Sequence, residues 1–218
     1  EKMKVHKKEN VFYVPNGVDV NLFKPAKHEF KKILLTVCGI NRQKGLVFLL
    51  KALKDVAKVH KDFKWIHVGA IPNEGDSNFL YYLQLVNLIR RYGITNNVKF
   101  LGRINLDELV KMYQTADIFI LPSLWEGMPL VILEAMSCGL PIISTKISGV
   151  IDLVTPSEGI LVEAGSSKFL SDAIISLLED EKLVKRLGKN ARERVERNFS
   201  WEIIAGKIKK IYEIILKR

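Results

Sequence analysis

Apolar positions along the chain follow two rhythms. Short runs rich in β-branched residues, VFYV (11–14), ILLTVC (33–38), WIHVG (65–69), VKFLG (98–102), IFILPS (118–123), PIISTK (141–146) and GILVE (159–163), read as strands. Between them, apolar residues recur at helical spacing near 45–60, 78–92, 106–115, 129–138 and 167–179. Strands that are apolar throughout, each followed by a helix, predict a parallel sheet covered on both faces: a doubly wound, Rossmann-like α/β domain. The last forty residues depart from this alternation. They read as helix with one interruption at NFSW, where Ser200 is the expected N-cap of a final helix, WEIIAGKIKKIYEIILKR. That helix has an apolar stripe and a basic face, and a packed helix with a solvated charged side is favoured over one lying on a membrane surface. The segment PNGVDVNLFKP (15–25) reads as a loop, because Pro15, Asn16, Gly17 and Pro25 are all turn formers.

Composition narrows the partners. With 218 residues and 48% hydrophobic content the chain can bury a sizeable core within one large domain. No apolar run reaches the length of a membrane span, and the start EKMKVHKKEN lacks the apolar segment of a secretory signal, so a cytoplasmic location is expected. Cys38 and Cys138 lie far apart in apolar surroundings and read as buried thiols in a reducing compartment. The net charge of +10 belongs to the ends: residues 1–32 carry eight Lys/Arg against four acids, and residues 188–218 carry nine against four. The nearly neutral body shows no basic face interleaved with aromatics, which argues against nucleic acid. The terminal charge is expected to face solvent, an anionic membrane surface or a neighbouring domain. His6, His28, His60 and His67 are scattered without ligand spacing, so no metal is expected, and His67 reads as a hydrogen-bonded core residue.

In a doubly wound sheet, ligands bind beyond the carboxyl ends of the strands, which singles out three loops. CGINRQKG (38–45) brings Gly39, Arg42, Lys44 and Gly45 to a helix start, a seat for phosphate. It is neither a GxGxxG nor a GxxxxGK[ST], so dinucleotide binding and nucleotide hydrolysis lose support. SLWEGMPL (123–130) ends with Pro129 in a first helical turn, leaving the N–H groups of Gly127, Met128 and Leu130 as donors. Glu126 is expected at the mouth of this loop. Glu134, the one charge in the apolar helix PLVILEAM, is expected deeper, partnered by a basic side chain or by ligand hydroxyls, because an unpaired buried carboxylate is costly. Trp125 has two readings, covering a ligand or packing at the loop base. In the third loop, TKISGVIDLV (145–154), Asp152 reads as a helix-start residue.

Taken together, these segments resemble glycosyltransferase family 4, the retaining enzymes of the two-domain GT-B fold. LPSLWEGMPLVILEAMSCGLP matches the family's PS-x-x-E-G segment, its E-x7-E pair at Glu126 and Glu134, and the A-M-x-x-G-x-P turn at Ala135, Met136, Gly139 and Pro141. VPNGVDVNLFKP, KGLVFLLKAL, VKFLGRI, LVKMYQTADIFILPS and FSWE extend the similarity over nearly the whole chain. The resemblance implies that Glu134 accepts the ribose hydroxyls of a nucleotide-sugar. It implies that Glu126 and the backbone from Gly127 through Met128 and Pro129 to Leu130 hold the donor sugar and its phosphates. Lys44 matches the lysine that neutralises the diphosphate, and the loop around Arg103 would border the base. No metal and no cofactor is implied, since Lys/Arg charge replaces a metal and no DxD is present. Transfer would be assisted by leaving-group stabilisation at Lys44 and Arg42.

The chain departs from the family's pattern at Ile40, where an arginine usually follows the glycine aligned with Gly39, and Arg42 is a candidate substitute. Gly69 is followed by Ala70 where the family has G-x-G, and Asp152 stands where it has glutamate. The chain reads as the donor half, residues 1–218, with the N-terminal acceptor domain outside it and supplied in cis or in trans. It is expected to bind donor but turn over poorly by itself. The alternative is a non-catalytic module that keeps the fold and recruits a partner through its basic ends; a phosphorylase is disfavoured because no feature points to a cofactor lysine.

Overall fold

The computed structural model describes residues 11–216. The expectations for the basic start and for His6 fall outside these residues. Six strands form one parallel sheet in the order β3-β2-β1-β4-β5-β6, namely β1 (Ile33–Val37), β2 (Lys64–Val68), β3 (Val98–Phe100), β4 (Ile118–Leu121), β5 (Ile142–Thr145) and β6 (Gly159–Val162). Their register aligns Leu35 with Ile66, Leu34 with Ile118, and Ile143 with Ile160. The expected doubly wound α/β fold is present.

Alternation of side chains along each strand divides the core in two. Leu34, Ile118, Ile120 and Ile143 point to one face, where α1 (Leu46–Val59), α2 (Phe79–Arg91) and α6 (Ser167–Glu179) cover them. Leu35, Phe119, Leu121 and Ile142 point to the other, under α3 (Leu106–Thr115), α4 (Leu130–Ser137) and α7 (Glu181–Asn198). A four-residue helix, α5 (Ser148–Ile151), lies in the third loop, and α8 (Trp201–Leu216) ends the described chain. The strand order reverses between β1 and β4, so the loops leaving their carboxyl ends part and open a crevice there.

Four local expectations need correction. Residues 11–14 form no strand: Val11 and Tyr13 are exposed, and the first ladder contact of this region is an isolated bridge between Val18 and Ser200. The run leads directly into the irregular segment at 15–17, and among the described residues no strand pairs with it. Pro129 is the N-cap of α4, one position before the first turn. Asp152 caps the C-terminal end of α5 and does not start a helix, because the chain turns immediately after Thr145. The packed face expected of α8 is only partly realised. Ile204 is buried, yet Trp201, Ile208, Tyr212 and Ile215 stay exposed, since α7 is its main helical neighbour among the described residues. Ser200 does cap α8, its hydroxyl accepting from Ile203 N at 3.3 Å. No helix among the described residues is long and apolar enough to cross a membrane.

The loop at 15–25 is held by a side chain that the periodicity could not reveal. Arg192 of α7 donates from Nη1 to the carbonyls of Val20 (3.0 Å), Phe23 (2.9 Å) and Ser137 (2.7 Å), fastening that segment to α4.

Candidate functional site

The crevice between β1 and β4 is built from two interlaced loops. After β1 the chain makes a single 3-10 turn, Arg42–Lys44, capped by Asn41, whose side chain accepts from Lys44 N at 3.2 Å. Gly45 then adopts a left-handed conformation (φ 64°), and any side chain there would collide with the Pro122 carbonyl at the end of β4. The contact is sealed by Leu124 N donating to the Gln43 carbonyl (2.8 Å) and by Gln43 Nε2 donating to the Trp125 carbonyl (3.0 Å). The third loop abuts the second in the same way, because a Cβ at Gly149 would run into the carbonyls of Glu126 and Gly127.

Across this junction Lys44 Nζ donates to Glu126 Oε1 at 2.7 Å, and Ser123 Oγ donates to the same oxygen at 2.7 Å. Glu126 is 8% exposed and belongs to the floor of the crevice. Its expected place at the mouth is therefore wrong, and the depth order of the two glutamates is reversed: the strand end and Ser123 draw Glu126 inward, while Glu134 is half-buried. A buried carboxylate is tolerable here because a cation and a hydroxyl both satisfy it.

Among the described residues Glu134 meets no basic side chain; its partner is a phenol. Tyr113, fully buried on α3, donates its hydroxyl to Glu134 Oε2 at 2.7 Å. Burial raises the Glu134 carboxyl above its ordinary range, and the Tyr113 hydrogen bond opposes that rise. The N–H groups of Gly127, Met128 and Leu130 donate to nothing among the described residues, as expected at a helix start. Gly127 and Leu130 are exposed and Met128 is half-buried, its carbonyl accepting from Asn16 Nδ2 at 3.3 Å.

The remaining candidates divide. Gly39 is exposed, and a side chain there would meet only Asn41 Nδ2 at 4.0 Å, an ordinary contact; Arg42 is exposed with its guanidinium 5.1 Å above the Tyr81 ring. Ile40 is buried in the core beside α1, so it cannot present a polar group to the crevice. Arg103 stands apart, lining a pocket of about 670 Å³ with Ala70, Ile71, Asn73, Asp76 and Gly102 at the carboxyl ends of β2 and β3. A second cavity of about 660 Å³, beside β6 and α7, is lined by none of the candidate residues. Trp125 is exposed and does not pack at the loop base.

Of the two thiols expected to be buried, Cys138 is buried and Cys38 is half-buried, because Cys38 is the last residue before the loop opens. Burial pushes its thiol up to about 12, with Lys44 lowering and Glu126 raising it. Beneath it, His67 is inaccessible, with Nε2 3.7 Å from Cys38 Sγ and Nδ1 without a partner among the described residues; burial lowers its pKa to about 4. It is a core residue, but only one ring nitrogen has a polar neighbour. Sequence reasoning missed Ser123, Tyr113, Asn41 and Gln43. Ser123 was within sight, three residues before Glu126, whereas Tyr113 reaches Glu134 only through tertiary packing.

The sequence profile described as Glycosyl transferases group 1 matches residues 18–194. The chain is 30% identical over 223 residues to a GDP-mannose-dependent monoacylated alpha-(1-6)-phosphatidylinositol monomannoside mannosyltransferase of Corynebacterium glutamicum, covering 92% of this chain and 55% of that protein. Among solved structures it is similar to sucrose-phosphate synthase of Thermosynechococcus elongatus, with a TM-score of 0.82 and 29% identity over 94% of this chain and 52% of that one. It is likewise similar to Anabaena HepE in complex with UDP, with a TM-score of 0.82 and 26% identity over 92% of this chain and 56% of that one. The chain spans about half the length of the curated relatives it matches.

Proposed function

Because the chain belongs to the glycosyl transferases group 1 family, we propose that it is the donor-binding, C-terminal half of a retaining, family 4 glycosyltransferase of GT-B fold. It takes a nucleotide-diphosphate sugar at the crevice between β1 and β4. The observation that carries this reading is the Lys44–Glu126 pair: a cation held 2.7 Å from a buried carboxylate, bridging the two loops that open at the reversal of strand order. An anionic diphosphate arriving beside Gly39 draws on Lys44 and Arg42 and on the unpaired N–H groups of Gly127, Met128 and Leu130. Glu126 is then released to face the donor sugar, Glu134 accepts ribose hydroxyls, and the pocket beside Arg103 takes the base. Preorganised positive charge at the departing diphosphate lowers the barrier without a metal or cofactor.

UDP in the Anabaena protein and GDP-mannose in the Corynebacterium protein are partners of those proteins; either base is a candidate here. Glycosyl transfer by the whole enzyme requires an acceptor-binding domain, in cis or in trans. Orientation of two reactants supplies about 7–11 kcal/mol of barrier lowering, so these residues alone bind donor but transfer it poorly. A cytoplasmic enzyme working at a membrane surface fits the basic ends of the chain. The test is thermal stabilisation by a panel of UDP-, GDP- and ADP-sugars with and without EDTA. One base class raising the melting temperature equally in both conditions supports the reading. Stabilisation by none contradicts it and favours a partner-binding module.

A further inference from the structure

Glu134 has a carboxylate whose two oxygens are placed in different situations. Oε2 accepts the Tyr113 hydroxyl at 2.7 Å, while no hydrogen-bond partner reaches Oε1 among the described residues. The phenol itself cannot wander. Tyr113 is fully buried, with the Phe23 ring edge-on at 5.8 Å and the Phe119 ring tilted at 5.9 Å. Its one alternative acceptor, the Val131 carbonyl, lies at 3.5 Å, too far to compete with a carboxylate at 2.7 Å. The ring's position is fixed in turn by the anchoring of Phe23, whose carbonyl accepts from Arg192 and from Ser137 Oγ (2.6 Å).

We propose that Tyr113 is a positioning residue for the donor site: its hydroxyl ties one oxygen of Glu134 and leaves the other as the acceptor for a ribose hydroxyl over the start of α4. A lone carboxylate on a helix samples several rotamers, and a half-buried one tends to take up a proton; a protonated acid no longer accepts hydroxyl donors at both oxygens. The tyrosine opposes both losses. Among the described residues the other titratable group influenced by Glu134 is Cys138, the C-cap of α4, whose thiol burial pushes up to about 12 and which therefore stays neutral. No Lys or Arg nitrogen lies within 4.0 Å of Glu134 among the described residues, so the Tyr113 hydroxyl is the group there that opposes the upward shift of the carboxyl.

This inference rests on the nucleotide reading for its ligand, but its core can be measured without one. The Glu134 carboxyl is titrated by carbon-13 NMR in the unliganded chain and in Tyr113→Phe, which keeps the ring and its packing. The expected result is a higher midpoint in the variant, because the opposing hydrogen bond is gone while burial remains. UDP or GDP, together with its 2′-deoxy form, is then titrated into both chains. Wild type is expected to prefer the ribonucleotide, and Tyr113→Phe to lose roughly tenfold in ribonucleotide affinity with little loss for the deoxy form. Its affinity also declines from a higher pH as pH falls. An unchanged Glu134 midpoint, or an unchanged preference for the 2′-hydroxyl, overturns the proposal, as does tighter binding by the variant. Failure of wild type to bind either nucleotide refutes the nucleotide reading instead, and the unliganded titration still decides whether Tyr113 lowers the Glu134 midpoint.

Discussion

Lys44 and Glu126 lie 82 positions apart in sequence, yet Nζ and Oε1 are 2.7 Å apart, and Ser123 donates to the same oxygen. The side chains of the pair are 21% and 9% exposed, so the lysine is both a ligand-facing cation and the counterion of a buried acid. Replacing Lys44 by Ala is expected to have two effects. Ligands with a diphosphate weaken more than the bare nucleoside, and the protein loses about 1–3 kcal/mol of stability because Glu126 keeps only Ser123. Adding Glu126→Gln restores the stability but not the diphosphate affinity. Equal weakening of nucleoside and diphosphate in calorimetry would assign Lys44 to folding alone.

Glu134→Gln separates binding from folding. The amide still accepts the Tyr113 hydroxyl, so the melting temperature should change little. Loss of the charge should weaken nucleotide binding by about 1.5–3 kcal/mol, the range for hydrogen bonds to charged groups. A large fall in melting temperature with affinity intact would make Glu134 a structural residue.

Gly149 and Gly127 form a matched pair for the loop junction. A methyl group at Gly149 meets the carbonyls of Glu126 and Gly127, whereas one at Gly127 meets open space. Gly149→Ala is expected to cost about 1–3 kcal/mol in denaturant unfolding, and Gly127→Ala much less. Equal costs would mean that the third loop does not brace the second.

His67 predicts an acid limb of stability. Its folded pKa, about 4, lies below the ordinary 6.5 because of burial. Between these values the unfolded chain binds the proton and the folded chain does not, so stability falls as pH drops from about 6.5 to 4, by about 3 kcal/mol in full. Unfolding free energies of wild type and His67→Phe across that window should converge as the pH falls if wild type starts the more stable, the variant lacking this loss. Parallel curves would contradict the assignment.

The sheet is legible because its central strands, β1, β4 and β5, announce themselves twice, as β-branched runs and as residues buried on both faces. The crevice followed from Gly39, Lys44 and Glu126, whose loops leave strands that the pattern had already placed. What sequence could not show are contacts that depend on distance in space. Glu134 was recognisable as an oddity, but its partner Tyr113 sits on another helix with nothing in its local pattern to mark it. The depth of Glu126 is not legible in the sequence because its burial depends on Lys44 and Ser123 closing over it. The run at 11–14 reads as a strand because strand propensity is local, while pairing needs a neighbour.

The central claim is that the loops at the β1 and β4 ends form one nucleotide-sugar site. It is tested most directly by mapping amide chemical shifts of the nitrogen-15-labelled chain during titration with UDP-glucose and GDP-mannose. One of the two should move the amides of Gly39 to Lys44, of Gly127, Met128 and Leu130, of Glu134 and of the residues beside Arg103, in a saturable manner. Saturable shifts confined to the cavity beside β6 and α7, or no shifts with either ligand, would contradict it.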